Sequence, residues 1–165
     1  MNKLLTVFLL VILCSSCTKT TYYIVRHAEK ATASPGMNSD VPLSEAGAQR
    51  AEKLKEILKN KNIGHIFSTQ TIRTTTTAKP LSQATGVPVQ IYNSRDTNNA
   101  FILQLQSIDK KNVLVVGHSN TVDDIVNKLT GKQLVNDLPD SVYNRLFVVK
   151  KAGKRYKFSL NTYEP

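Results

Sequence analysis

The sequence contains no tryptophan, two methionines and two cysteines, and both cysteines, Cys14 and Cys17, fall among its first seventeen residues. A disulfide scaffold is therefore excluded, and the fold must rest on packing. Glycine (7) and proline (6) are sparse in a chain of 165 residues, which excludes collagen-like and low-complexity architectures. Histidine occurs three times, and no set of His, Cys, Asp and Glu shows metal-ligand spacing, so neither metal nor cofactor is expected. Acidic residues are also few: 12 stand against 22 Lys and Arg, a formal net charge of +10. Such a surface attracts anions without specifying which. The hydrophobic content of 41% is that of a folded chain, which excludes disorder, and the length suits one domain.

No apolar run is long enough to span a bilayer. The longest covers residues 4–13, interrupted by Thr6, preceded by Lys3 and followed by Cys14-Ser15-Ser16-Cys17. A charged start, a short apolar stretch and a small-residue exit describe a secretory signal over residues 1–16. A cysteine directly after Ser15-Ser16 resembles the lipobox of bacterial lipoproteins, with Cys14 at the position where Leu is usual. Cys17 is then the expected lipidated first residue, a plain signal peptide being the alternative. The protein is expected to be exported, on the periplasmic or cell-envelope side, and attached to membrane through the lipid alone. The Cys-x-x-Cys spacing would elsewhere suggest redox chemistry or half a zinc site; here it lies inside the signal and lacks further ligands. Residues 17–21 read as a polar tether and 22–165 as a single domain.

Within that domain, Tyr22-Tyr23-Ile24-Val25 is an apolar, β-prone run of the kind buried in a parallel sheet. Residues 31–42 are loop-like in composition. Ser44 can cap a helix in which Gly47, Ala51, Leu54 and Leu58 form one buried stripe. A strand over 63–68 leads to a helix over 71–85, weakened by its run of threonines and closed by Gly86. A strand at 89–91, a helix over 97–108, a strand at 113–116 and a helix through Val122, Ile125, Val126 and Leu129 follow, the last stopped by Gly131. The tail, 143–162, reads as an antiparallel hairpin turning at Ala152-Gly153. Strands alternating with helices predict a three-layer α/β/α fold with a mostly parallel central sheet and a C-terminal antiparallel hairpin.

Polar clusters follow three of these strands directly: Arg26-His27, Ser68 to Arg73, and Gly117-His118-Ser119-Asn120. The carboxyl ends of parallel strands share one edge, where ligands bind, so Arg26, His27, Arg73 and His118 are expected to converge there. Arg grips a phosphoryl group with a planar fork of donors, and His serves as nucleophile, base or donor near neutral pH. Two of each, with no cysteine, suggest phosphoryl transfer through a phosphohistidine, with a carboxylic acid protonating the departing oxygen. His65, at the start of its strand, belongs to the opposite edge and reads as structural.

Arg26-His27-Ala28-Glu29 resembles the Arg-His-Gly signature of the histidine phosphatase superfamily, with Ala28 in place of Gly. The resemblance continues in Pro42-Leu43-Ser44-Glu45-Ala46-Gly47, in Ser68-Thr69-Gln70-Thr71-Ile72-Arg73-Thr74 with Thr77-Ala78, and in Val115-Val116-Gly117-His118-Ser119. It covers about residues 22–131, and the short chain is most like the small phosphohistidine-phosphatase branch. The resemblance implies that His27 is the nucleophile and that Arg26, Arg73 and His118 hold the phosphoryl oxygens, without a metal. In mutase-like members the proton donor is a Glu after the third strand. The corresponding stretch here, Tyr92-Asn93-Ser94-Arg95-Asp96, makes Asp96 the candidate, with Glu29 and Asp40 as alternatives.

A serine hydrolase is excluded: Gly117-His118-Ser119-Asn120-Thr121 approaches a nucleophile elbow, but no histidine follows it. A binding module without turnover, and mutase-type phosphotransfer, stay as alternatives to hydrolysis. Nucleic-acid binding is not expected. Arg145, Lys150, Lys151, Lys154, Arg155 and Lys157 form a basic tail, but it reads as an edge hairpin protected by lysines and holds no recognition motif. The expected partner is a small phosphorylated substrate, with specificity set by the loops at 31–40 and 93–99.

Overall fold

The structure, a computed structural model, describes residues 19–32, 40–95 and 99–165. The signal, Cys17 and Asp96 lie outside the described residues, as do parts of both specificity loops. The chain runs β1 (Lys19–Arg26), α1 (Glu45–Leu58), β2 (Ile63–Ser68), α2 (Ile72–Thr85), β3 (Val89–Ile91), α3 (Ala100–Ser107), β4 (Asn112–Gly117), α4 (Val122–Thr130), β5 (Arg145–Ala152) and β6 (Arg155–Thr162). Six strands form one sheet in the order β3-β2-β4-β1-β5-β6. The first four are parallel; β5 runs antiparallel to β1, and β6 antiparallel to β5.

Alternation along the strands feeds two cores, one on each face. Tyr22 and Ile24 of β1 with Val113 and Val115 of β4 pack under Phe101 and Leu105 of α3 and Val122, Val126 and Leu129 of α4. Val25, Leu114, Val116 and Ile66 face the other way, under Leu54 and Leu58 of α1 and Ala78 and Leu81 of α2. This is the expected three-layer α/β/α arrangement. Among the described residues, no helix is long and apolar enough to cross a membrane.

Local signals in the sequence explain the element ends. The Ser44 hydroxyl accepts from Gly47 N–H at 3.1 Å and caps α1, while Gly86 and Gly131 close α2 and α4 in the left-handed conformation. The threonines of α2 are tolerated because their hydroxyls bond to carbonyls of the preceding turn, as Thr75 and Thr77 do with Thr71 and Arg73.

Three expectations need correction. Residues 19–21, read as tether, are strand: Lys19, Thr20 and Thr21 pair with Ala152, Lys151 and Lys150, and Thr20 and Thr21 bond to Ile108 O and Asn112 Oδ1. Composition hides this, because polar residues at a sheet end need no apolar core to pair. The tail hairpin is not all edge, since β5 is bonded on both sides and only β6 is free. The helix expected over 97–108 is shorter, entering at Ala100 after Asn99 at φ 55°.

Gly47 ties the fold to the site. A Cβ there would collide with the backbone carbonyl of Glu29, two residues past His27. A helix gains about 1 kcal/mol from Gly→Ala in the ordinary case. Gly47→Ala is instead expected to lower the unfolding free energy by about 1–3 kcal/mol in urea titrations, through overpacking. A stabilised variant would show that this approach of α1 constrains nothing.

Candidate active site

Register brings the distant clusters together. Arg26 pairs with Gly117 across β1 and β4, Ser68 with Val116 across β2 and β4, and Ser68 with Ile91 across β2 and β3. Four strand ends thus lie in one row, and the chain leaving each enters the same open cleft of about 1120 Å³. Arg26, His27, Arg73 and His118 all line it, together with Lys30, Arg95 and the backbone-rich turns after β2 and β4. The four predicted residues therefore meet. His65 stands apart in β2 with its ring stacked on Phe67, centroids 6.1 Å apart, as a structural residue should.

His27 is 4% exposed, so a substrate reaches it from the cleft alone. Its backbone N–H donates to Gly117 O at 2.9 Å, which fastens it to β4. Its Nδ1 lies 2.7 Å from the carbonyl oxygen of Ala28. A carbonyl only accepts, so Nδ1 carries the hydrogen and Nε2 keeps the lone pair that a nucleophile needs. Burial, joined by the charges of Arg26 and Arg73 and by His118, lowers its pKa to about 4 despite the opposing Ala28 hydrogen bond. The imidazole is neutral at physiological pH. Ala28 is fully buried, donates its N–H to Thr77 Oγ1 at 3.0 Å and does not line the cleft, so its methyl group leaves the anion space clear.

The Arg26 guanidinium is held from behind by the loop at 139–143. Its Nη1 donates to the carbonyls of Pro139 (3.0 Å), Asp140 (3.1 Å) and Val142 (3.3 Å). Nη2 donates to the Asp140 carboxylate at 3.2 Å, and the group lies over the Tyr143 ring, 4.3 Å from its centroid. Nε is buried with no hydrogen-bond partner among the described residues. Buried charge is thus compensated on one side of the fork while a donor remains on the other.

His118 stands edge-on to His27, with centroids 5.5 Å apart. Arg73 Nη2 approaches its Nδ1 at 3.5 Å, and Nε2 meets Thr69 Oγ1 at 2.9 Å. Since Arg only donates, Nδ1 accepts and Nε2 donates to Thr69. Thr69 then donates to Thr74 Oγ1 (3.0 Å), which donates to the Thr69 and Thr71 carbonyls. The pKa of His118 is lowered by burial and then by Arg73 and Arg26. Asp40 accepts from Ile72 N–H at 2.9 Å, serving as the missing side-chain cap of α2, and pairs with Arg73 at 3.4 Å.

These contacts separate the acid candidates. Glu29 is bound by Arg50 of α1 through Nε at 2.9 Å and Nη2 at 2.7 Å, and does not line the cleft. Burial alone would raise its pKa, but the Arg50 hydrogen bonds and charge outweigh this and hold it below the ordinary carboxylate range. Arg50 thus holds this carboxylate away from the cleft lining. Asp40 is a cap and a partner of Arg73 outside the cleft lining. Asp140 is the sole carboxylate among the described lining residues, and it is paired with Arg26.

Sequence reading placed Thr69, Thr74 and Thr77 in a motif without giving them a role, and it missed Asp140 and Tyr143. The threonine run was the available signal: poor helix formers kept at a helix start imply work for their hydroxyls. Asp140 and Tyr143 had no such signal, because a loop far along the chain folds back onto Arg26. Among the described residues, no group of His, Cys, Asp and Glu is placed to hold a metal ion.

Residues 22–94 match the family model of the histidine phosphatase superfamily, branch 1. Among solved structures, 89% of the chain aligns with 99% of a protein described as a phosphohistidine phosphatase SixA from Agrobacterium tumefaciens, at 24% identity and TM-score 0.66. The protein histidine phosphatase SixA complexed with tungstate aligns over 86% of this chain and 96% of its own, at 16% identity and TM-score 0.65. A mycobacterial glucosyl-3-phosphoglycerate phosphatase bound to VO3 aligns over 87% and 98%, at 13% identity and TM-score 0.64. No curated protein matches the sequence significantly. The family match over residues 22–94 and the shared fold liken the chain to the histidine phosphatase superfamily. The family match ends before His118; register supplies that residue.

The burial of His27, together with the charges around it, carries a pH consequence. The unfolded chain binds the imidazole proton below about pH 6.5, the native chain only below about 4. Stability contributed by neutral His27 is therefore present above 6.5 and lost as pH falls through that window. In NMR titrations the His27 midpoint is expected near 4 and should rise in Arg73→Ala, as should that of His118. A His27 midpoint at or above 6.5 in the native chain would contradict this electrostatic picture.

Proposed function

We propose that the protein hydrolyses a small phosphomonoester, or a phosphoramidate, through a phosphohistidine on His27 and without a metal ion. The observation that carries the reading is a neutral imidazole, with its Nε2 lone pair available, at the floor of a cleft lined by Arg26, Arg73, Lys30 and Arg95. Nε2 attacks phosphorus as the bond to the leaving group breaks. Arg26, Arg73 and His118 take the charge on the phosphoryl oxygens, His118 gaining proton affinity once a dianion is bound. Water then cleaves the phosphorus–nitrogen bond, releasing inorganic phosphate and the free imidazole. Asp96, placed by sequence after β3, is the proposed proton donor to the leaving oxygen.

The names of the aligned phosphatases, with tungstate or VO3 bound in two of them, support phosphate as the group recognised. The cationic lining supports an anionic substrate, and the lipobox-like residues 14–17 support export and an anchor on Cys17. A periplasmic setting favours a scavenged small phosphoester over a cytoplasmic phosphoprotein.

Phosphate release from p-nitrophenyl phosphate is expected to vanish in His27→Ala and to fall about 10²–10³-fold in Arg73→Ala. Acid-labile phosphate should be trapped on His27 in the wild-type protein by rapid quench. Phosphate binding without any turnover across a broad ester panel would instead favour the binding module. Asp96→Asn should slow phenyl phosphate, whose leaving group needs a proton, far more than p-nitrophenyl phosphate, whose leaving group does not. Equal losses on the two esters would remove Asp96 from this role.

A further inference from the structure

We propose that the sheet face carrying Lys19, Lys150, Arg155 and Lys157 is the surface by which the domain lies against an anionic lipid bilayer. The inference rests on the N-terminal anchor proposed above. Lys19 pairs with Ala152 and Ala152 with Arg155; Thr21 pairs with Lys150 and Lys150 with Lys157. Paired residues share a face, and so do residues two apart in a strand, so the four cations occupy two neighbouring rungs of one face. They continue the rows of Val25, Leu146 and Val148 beyond the end of the core under α1 and α2. All four are exposed and line a groove of about 640 Å³.

Edge protection does not account for this arrangement. Lys150 sits on β5, which is hydrogen-bonded on both sides and has no free edge to guard. It faces Lys157 directly, and like charges opposite each other in a sheet repel. Among the described residues none of the four is in an ion pair, whereas Lys151 on the opposite face is paired with Asp109 at 3.0 Å. An external layer of negative charge would relieve the repulsion.

Position selects the bilayer as that layer. One residue, Thr18, lies between Cys17 and Lys19, a reach of about 7 Å at most. A lipid on Cys17 therefore sets this face at headgroup level. β1 then carries the chain about 23 Å to Arg26, so the cleft lies that far along the sheet from the anchored end and clear of the cationic patch. Attraction of each cation to an anionic surface is worth about fivefold in partition, weakened beyond a Debye length.

The test uses the full chain isolated from membranes. Detergent phase partitioning reads the anchor by itself. An anchored chain is reconstituted in vesicles of phosphatidylcholine, or of equal parts phosphatidylcholine and phosphatidylglycerol, and its lysines are acetylated with a water-soluble reagent. Reactivity of Lys150 and Lys157 is expected to fall about fivefold with phosphatidylglycerol and to recover in high salt, while Lys30 at the cleft is unchanged. Lys150→Glu with Lys157→Glu should abolish preferential binding to anionic lipid, read at Lys19, and leave p-nitrophenyl phosphate hydrolysis intact. A chain that partitions into water loses the anchor reading; its face is then tested by sedimentation with the same two vesicles. Equal labelling or equal sedimentation in both compositions overturns the proposal. So does protection by a single-stranded oligonucleotide without protection by anionic vesicles, which would mark a nucleic-acid face.

Discussion

The pairing of β1 with β4 is the constraint on which the site depends. These two strands occupy the middle of the sheet, with Tyr22, Ile24, Val25 and Val113 to Val116 all inaccessible to solvent. Their last rung, Arg26 with Gly117, is extended by the His27 N–H bond to Gly117 O. The His27 backbone is therefore fixed to the strand that delivers the second histidine. Gly117 is needed there because a Cβ would stand 2.7 Å from both Thr121 Oγ1 and Tyr92 OH. The chain can then turn at once into α4, holding His118 beside the cleft.

The cleft reconciles two opposing electrostatic demands. Arginines aimed at an anion are costly to desolvate, and each is compensated from behind: Arg26 by three carbonyls, Asp140 and the Tyr143 ring, Arg73 by Asp40. The same cations act on the imidazoles. They oppose protonation of His27 in the resting protein, which preserves its lone pair, and they stabilise the oxyanion that His27 would receive. In the proposed reaction, one distribution of positive charge thus serves both His27 and the transferred group.

The motifs around the site divide into chemistry and support. Segment 42–47 touches no substrate space: Leu43 bridges Lys30, Ser44 N–H donates to Glu29 O, and Gly47 admits that carbonyl against α1. Arg50 then binds the Glu29 side chain and the Tyr163 carbonyl, joining the strand end to the C-terminal segment. Thr69, Thr74 and Thr77 do comparable work on the other side, orienting His118 and the Ala28 amide. Precision at His27 comes from these flanking contacts as much as from the sheet.

Fold class, strand ends and the four charged or imidazole residues were legible in the sequence, because they depend on local patterning. Apolar runs mark buried strands, Ser44, Gly86 and Gly131 mark helix ends, and residues after parallel strands share an edge whatever the loops do. What only the tertiary structure decided involves contacts between distant segments. The loop at 139–143 closing on Arg26, the capture of Glu29 by Arg50, and the pairing of residues 19–21 with β5 leave no periodic trace. A polar side chain reads the same in sequence whether it meets water or a partner a hundred residues away, and only chain folding distinguishes the two.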